Sequence, residues 1–176
     1  MIARTLLLAA CMAPCLAFGA SPAFAADSSV TFRGPAGEDR GSATLREGPT
    51  GVLVRLELKG LTPGWHAVHF HAKGDCSDQA FQNAGGHINH AQNAKPHGLL
   101  NPQGPDFGDL PNVYAGADGM VRAELFSALV SFTGQGGRPA LKDADGSAIV
   151  VHQSPDDFTT QPIGGAGARV ACAVVK

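Results

Sequence analysis

The chain has 176 residues, which is enough for one ordinary domain and too few for two. Its formal net charge of -2 excludes a nucleic-acid binder that works by neutralising phosphates. The 23 glycines and 12 prolines, with few runs of helix-favouring residues, predict a turn-rich, all-β chain.

The first 25 residues have the pattern of a secretory signal peptide. Arg4 supplies the positive charge, an apolar stretch follows, and Ala23-Phe24-Ala25 forms a small-x-small cleavage site. We expect cleavage before Ala26, which leaves one domain at 26–176 in the periplasm, free of the membrane. An anchor is disfavoured because Pro14 interrupts an apolar run already short of the roughly 20 residues that a spanning helix needs.

Two cysteines, Cys76 and Cys172, remain after the signal peptide is removed. In an exported chain, two cysteines favour a single disulfide. Two soft metal ligands are the alternative, although only Cys76 has histidines close to it in the sequence.

Short apolar or alternating segments, separated by turn-forming glycine, proline and aspartate, predict seven or eight strands. The predicted segments are Val30–Arg33, Ser42–Arg46, Val52–Lys59, His66–His71, Met120–Phe126, Ala128–Phe132, Ala148–His152 and Ala168–Val175. Because no stretch has helical periodicity over a helix length, this pattern predicts an all-β sandwich or barrel.

Residues 73–117 interrupt this rhythm with a long segment rich in glycine, asparagine, proline, aspartate and histidine. Loops longer than about 12–15 residues in compact domains are usually functional or disordered. The histidines and Cys76 in this segment favour a functional loop.

All 7 histidines lie between His66 and His152, and all but the last lie before residue 98. His69 and His71 are two residues apart on a predicted strand, so their imidazoles project from the same face. Clustered imidazoles suit copper or zinc, and imidazole with carboxylate suits zinc. The long loop adds further donors of both kinds: His87, His97, Asp106 and Asp109. Together these residues predict metal binding.

Five ordered segments resemble those of the copper/zinc superoxide dismutases in their bacterial periplasmic form. They are Thr62–Cys76, Gly85–His87, Gly108–Asn112, Val150–His152 and Gly167–Cys172. The resemblance covers essentially the whole chain after the signal peptide. It implies an eight-stranded Greek-key β-sandwich, the fold that the dismutase family shares with other sandwich domains. It also implies an oxidoreductase that disproportionates superoxide to O2 and H2O2.

The resemblance implies two metal sites that share one histidine. The copper ligands would be His69, His71, His87 and His152. The zinc ligands would be His87, His97, Asp106 and Asp109. The remaining implied roles are Asp156 as a carboxylate linking the two sites, Cys76–Cys172 as a loop-tethering disulfide, Arg169 as the anion guide, and His87 as both ligand and acid.

Three positions need separate expectations. Asp106 stands where the family has histidine, so we expect a zinc site of two histidines and two aspartates, with weakened or lost zinc affinity as the alternative. His90 stands where the family usually has proline and is either a substitute ligand or a solvated loop residue. His66 faces away from the His69 and His71 pair, and the resemblance implies a structural role for it.

Two other functions remain open. One is an exported copper or zinc carrier without turnover, which Arg169 disfavours because storage needs no anion guide. The other is an adhesion sandwich with an accidental histidine pair. Further positive charge that attracts superoxide would come from Lys73, Lys95, Arg138 or Lys142. The resemblance does not decide between a monomer and a homodimer.

Overall fold

The computed structural model describes residues 27–89 and 94–176, so the predicted signal peptide and His90 lie outside the described residues. Nine strands occur in this part of the chain. They are β1 (Ser28–Arg33), β2 (Asp39–Gly48), β3 (Gly51–Leu58), β4 (Gly64–His66), β5 (Val68–His71), β6 (Val113–Ala115), β7 (Val121–Ser127), β8 (Ser147–His152) and β9 (Arg169–Val175). The helices described there are two short 3-10 turns, at Gln82–Ala84 and Gln135–Gly137. Neither turn has the length or apolar character needed to cross a membrane.

Seven antiparallel strands form one curled sheet in the order β5-β8-β9-β1-β2-β3-β7, and β4 pairs with β6. One residue, Ala67, separates β4 from β5, while β6 contacts β7. The two-stranded unit therefore lies between the two edge strands of the larger sheet. The predicted all-β sandwich or barrel is confirmed.

The core follows from alternation along the strands. In β3, Val52, Val54, Leu56 and Leu58 are buried, whereas the intervening Arg55 is exposed. Strand β8 differs, because it is buried along its entire length. One face of β8 packs on the core and the other is covered by loops, and these loops carry the candidate site.

The structure corrects three strand predictions. The predicted strand His66–His71 is interrupted at Ala67, so its two halves belong to different sheets. Ala128–Phe132 forms no strand, and Ser131 makes only an isolated bridge. The prediction of a strandless 73–117 loop missed β6, whose three residues are too few to show an alternation.

The predicted disulfide between Cys76 and Cys172 is present, with the Cα atoms 5.9 Å apart. It connects the loop after β5 to β9 and joins a small apolar cluster with Phe81 and Val150. The bond excludes the alternative of two cysteine metal ligands. It also fixes the start of the long loop against the outer face of β8.

Candidate metal centre

Four histidines from two strands and one loop form the first donor group, whose ligand atoms lie within 4.8 Å of one another. His69 and His71 lie on β5, and His152 ends β8. His87 comes from the loop after β5. In the antiparallel pairing of β5 with β8, Val68 lies opposite Val151, so His152 follows beside the start of β5 and close to His69.

Two loop segments reach this group by pairing with β5. The Ile88 N–H donates to the Phe70 carbonyl at 3.0 Å, which holds His87 beside the strand. The Phe70 N–H donates to the Gly108 carbonyl at 2.9 Å, which brings Asp109 to the same strand. A Cβ at Gly108 would collide with the Phe70 carbonyl oxygen, so this close approach requires glycine.

Each ring in the first group leaves one buried nitrogen without a hydrogen-bond partner. Three rings donate their other N–H: His69 Nε2 to Asp156 (2.9 Å), His71 Nδ1 to the Gly85 carbonyl (2.9 Å) and His152 Nδ1 to the Gly167 carbonyl (3.1 Å). These bonds set the tautomer of each ring. The unpartnered atoms are His69 Nδ1 and the Nε2 atoms of His71, His87 and His152.

Burial sets the charge state of these rings. It lowers the pKa of His69, lowers the pKa of His71 far below the ordinary value, and lowers the pKa of His152 to about 3. Neutral imidazole is the form that binds a metal ion. These three rings are therefore held in their metal-binding form at neutral pH.

The second donor group comes mainly from the loop between β5 and β6. His87, His97 and Asp109, with His69, place ligand atoms within 4.8 Å of one another. His97 Nδ1 lies 2.5 Å from Asp109 Oδ1, and His87 Nδ1 lies 3.7 Å from the same oxygen. Asp106 is not in that compact set, although its Oδ2 lies 2.9 Å from His87 Nδ1 and 3.9 Å from His97 Nδ1. His87 thus faces the first group through Nε2 and the second through Nδ1.

Carboxylates dominate the electrostatics of the second group. Burial lowers the pKa of His97, but hydrogen bonds to Asp109 and Asp156 outweigh it and raise that pKa to about 10. Burial raises the pKa of Asp156, but hydrogen bonds from His69 and His97 bring that pKa well below its usual range. Burial raises the pKa of Asp109, but His97 and the hydrogen bond from the Gly98 N–H together outweigh it and lower that pKa.

Asp156 lies between the two groups. One of its carboxylate oxygens accepts from His69 Nε2 at 2.9 Å, and the other accepts from His97 Nε2 at 3.0 Å. Sequence analysis missed Asn112, whose side chain donates to the Asp156 carbonyl at 2.8 Å and accepts the Asp156 N–H at 2.9 Å. Asn112 ends one of the five segments that carry the resemblance, so position alone was the available signal.

A cavity of about 500 Å³ opens beside both groups and is lined by Arg169. The Arg169 guanidinium donates to the carbonyls of Phe81 and Gly85, and the Gly85 carbonyl also accepts from His71. Burial lowers the pKa of Arg169, yet an arginine remains charged at any physiological pH.

Of the four basic residues expected to add positive charge, Lys95 lines this cavity. Arg138 instead donates to the Gln135 carbonyl, and Lys142 lies over the Phe132 ring at 4.8 Å. Arg169 and Lys95 are thus the arginine and the lysine among the described residues of the cavity wall.

His66 belongs to neither donor group. Its two ring nitrogens lie 2.7 Å from the carbonyl oxygens of His152 and Thr62. The buried ring therefore ties β4 to the end of β8, which is the structural role expected for it.

The donor sets fit two different metals. Four buried imidazole nitrogens without partners suit copper, whereas imidazole with carboxylate suits zinc. A Greek-key sandwich with two donor groups that share His69 and His87, open to solvent beside an arginine, defines a metalloprotein with a two-metal centre.

The family model for copper/zinc superoxide dismutase matches residues 39–175. The protein named superoxide dismutase [Cu-Zn] of Caulobacter vibrioides is 64% identical over 140 residues, which cover 80% of this chain and 80% of the relative. Superoxide dismutase [Cu-Zn] 2 of Aquifex aeolicus is 42% identical over 141 residues, covering 80% of this chain and 81% of the relative. The chain belongs to the copper/zinc superoxide dismutase family.

Solved structures agree with this assignment. A superoxide dismutase-like protein from Bacillus subtilis is 33% identical, with a TM-score of 0.79, over 88% of this chain and 100% of that chain. The Cu/Zn superoxide dismutase from Brucella abortus is 28% identical, with a TM-score of 0.67, over 86% of this chain and 100% of that chain. The family and fold implied by the sequence resemblance are confirmed, and the carrier and adhesion alternatives are not favoured.

Proposed function

We propose that the protein disproportionates superoxide, so that two superoxide anions and two protons yield O2 and H2O2. The observation that carries this function is the group of four unpartnered imidazole nitrogens beside a cavity lined by Arg169. The ligands in this group would be His69, His71, His87 and His152. When bound there, copper supplies the one-electron redox change that the reaction needs and that zinc lacks.

Arg169 binds and orients the substrate. Its guanidinium is a fixed, permanently charged fork of donors, and two carbonyls hold it at the cavity wall. Superoxide is a small anion, so this charge attracts it and raises its local concentration. A neutral solute gains nothing from the same field, which gives the site its preference.

His87 handles a proton needed for peroxide formation. Its Nε2 has no hydrogen-bond partner, and the ring lines the cavity. A proton held at this atom is close to an anion bound by Arg169. The Nδ1 side is occupied by Asp106 at 2.9 Å, which keeps the ring oriented.

The second group would hold zinc through His87, His97, Asp106 and Asp109. In a tetrahedral zinc site with bonds of about 2.0–2.1 Å, ligand atoms lie about 3.3 Å apart. His87 Nδ1 lies 2.9 Å from Asp106 Oδ2 and 3.7 Å from Asp109 Oδ1. His97 Nδ1 lies 3.9 and 2.5 Å from the same two oxygens, so the four distances fall on both sides of that value. Asp106 therefore supports this zinc site although it lies outside the most compact set.

The decisive experiment replaces the arginine and leaves the ligands intact. Arg169→Ala should keep copper occupancy and lose much of the rate per copper, and the rate should depend less on ionic strength. Arg138→Ala, a remote arginine, is the matched control. Lys95→Met should give a smaller loss with the same direction of salt dependence. Copper loss with an unchanged rate per copper would show that Arg169 serves the metal and not the anion.

Export is a second part of the proposal. The disulfide agrees with an oxidising compartment, because such bonds are rare in the cytosol. Residues 1–25 would then be a signal peptide that is cleaved before Ala26 and directs the protein to the periplasm. N-terminal sequencing of periplasmic protein tests this, and a mature chain that retains Arg4 would contradict it. Sedimentation of the purified protein would distinguish a monomer from a homodimer.

A further inference from the structure

The side chain of Gln161 pairs with the backbone of His97 on both sides. Gln161 Oε1 accepts the His97 N–H at 2.9 Å, and Gln161 Nε2 donates to the His97 carbonyl at 2.7 Å. The same amide donates to the Thr159 carbonyl at 3.0 Å, which fixes its orientation. Gln161 thus makes the pair of bonds that a neighbouring strand would make.

His97 needs this support because it lies outside regular structure. No strand or helix occurs among residues 94–112, so the sheet provides no partner for its backbone. Within the same segment, the Asn101 side chain donates to the His97 carbonyl at 3.0 Å. The His97 N–H has Gln161 as its acceptor, so this half of the pairing depends on the glutamine.

Backbone and ring of His97 are held by different residues of one segment. Asp156 accepts from Nε2 at 3.0 Å, while Gln161 holds the backbone. With the backbone and Nε2 of His97 both held, its Nδ1 lies 2.5 Å from Asp109 Oδ1. A carboxylate acting at the ring cannot by itself fix where the Cα lies, so the two contacts are not redundant.

We propose that Gln161 is a positioning residue for the second metal site, acting through the backbone of His97. This inference rests on the proposed zinc site. Preorganising a ligand raises metal affinity, since less conformational freedom is lost on binding. Loss of an outer-sphere hydrogen-bond partner typically weakens metal affinity by about 10–100-fold. Gln161 is exposed, so burial of its amide does not require the three hydrogen bonds that its side chain makes.

The test compares Gln161→Met, which keeps length but removes hydrogen bonding, with Gln135→Met at a remote glutamine. Zinc affinity is measured on full-length, copper-loaded protein by competition with a chelator. We expect the zinc dissociation constant to rise about 10–100-fold in Gln161→Met and to stay unchanged in Gln135→Met. The visible spectrum of Co²⁺ bound in place of zinc should also shift in Gln161→Met, while copper affinity should not change.

His97→Ala separates this inference from the zinc site itself. If His97→Ala leaves zinc affinity unchanged, the proposed site is wrong and the inference falls with it. If His97→Ala weakens zinc while Gln161→Met matches wild type in affinity and Co²⁺ spectrum, the positioning role alone is overturned. Equal lowering of the melting temperature in metal-free and zinc-loaded Gln161→Met would also overturn it, because that result marks support of the fold only.

Discussion

The two donor groups lie side by side and share His87, but they are built in different ways. Strands β5 and β8 carry three of the four donors in the first group, so the ladder between these strands sets their spacing. The second group draws His97, Asp106 and Asp109 from a segment without regular structure. Its geometry depends on side chains such as Gln161 and Asp156. The sheet thus places three donors of the first group, whereas hydrogen bonds from side chains hold the loop donors of the second.

The groups also differ in what controls their charge. Burial is the main reason that His71 and His152 stay neutral, with neighbouring positive charges adding to it, and the pKa of His152 is lowered to about 3. In the second group, carboxylates outweigh burial and raise the pKa of His97 to about 10. The strand residues of the first group therefore present neutral imidazoles, and the second group combines imidazole with carboxylates. This difference in donor chemistry favours different metals at the two groups.

Removing one donor from either group gives the largest expected effect. His152→Ala removes a strand-borne donor and should lower the rate by more than the roughly 100-fold that losing an outer partner can cost. Zinc binding should persist in this variant. His97→Ala should show the reverse, with zinc weakened and the rate per copper retained. Metal content and dismutation rate of both variants measure the separation, and loss of both metals in either variant would show that the groups do not form independently.

Removing the disulfide should lower the free energy of unfolding, because the bond holds the long loop of the second donor group. The bond joins residues 96 apart in sequence. In the chain-entropy model, replacing both cysteines in a Cys76→Ser, Cys172→Ser variant should cost about 4.7 kcal/mol of unfolding free energy. Denaturant titration of the metal-free proteins measures this cost, with the wild type showing no free thiol when unfolded. A loss below about 1 kcal/mol would mean that the unfolded chain gains little freedom.

Substitutions at Asp106 should have an intermediate effect that is confined to zinc binding at the second donor group. Asp106→Ala should weaken zinc binding because a ligand is lost, whereas Asp106→His should strengthen it by restoring the family's residue. Copper-dependent dismutation should survive in both, since zinc carries no redox chemistry. Zinc titration of the three proteins gives the answer. Unchanged affinity in Asp106→Ala would remove Asp106 from the site and make His90 or a water the better candidate.

The smallest expected effect is a pH dependence in the segment that carries Gln161. Hydrogen bonds from the Thr160 side chain and N–H and from the Thr159 N–H lower the pKa of Asp157 to about 2. Because the folded pKa lies below the unfolded value of about 3.9, the stabilisation is present above that pH and is lost as pH falls through about 2. Amide exchange at Thr159 and Thr160 should therefore accelerate, relative to other amides, in this range. Asp157→Ala should show weaker protection that does not change with pH there.

The sequence was most informative where spacing alone decides geometry. Two histidines two residues apart on a strand must share a face, so the spacing of His69 and His71 is enough to predict that they act together. The interruption at Ala67 and the short strand β6 left no periodic signal, because three residues cannot display a repeat. Gln161 escaped detection for another reason. Its partner is 64 residues away, and a glutamine pairing with backbone atoms requires no particular residue type at the other end.

One carbonyl oxygen, that of Gly85, has a consequence for how the centre tolerates motion. It accepts from His71 Nδ1 at 2.9 Å and from the Arg169 guanidinium at 2.7 Å. Imidazole and guanidinium therefore share a single acceptor, so a displacement of Gly85 affects both groups at once. We expect the gap between a bound anion and the unpartnered edge of His71 to change less than it would if the two groups had separate acceptors. A tolerance of this kind suits a reaction whose substrate has only two atoms and makes few contacts of its own.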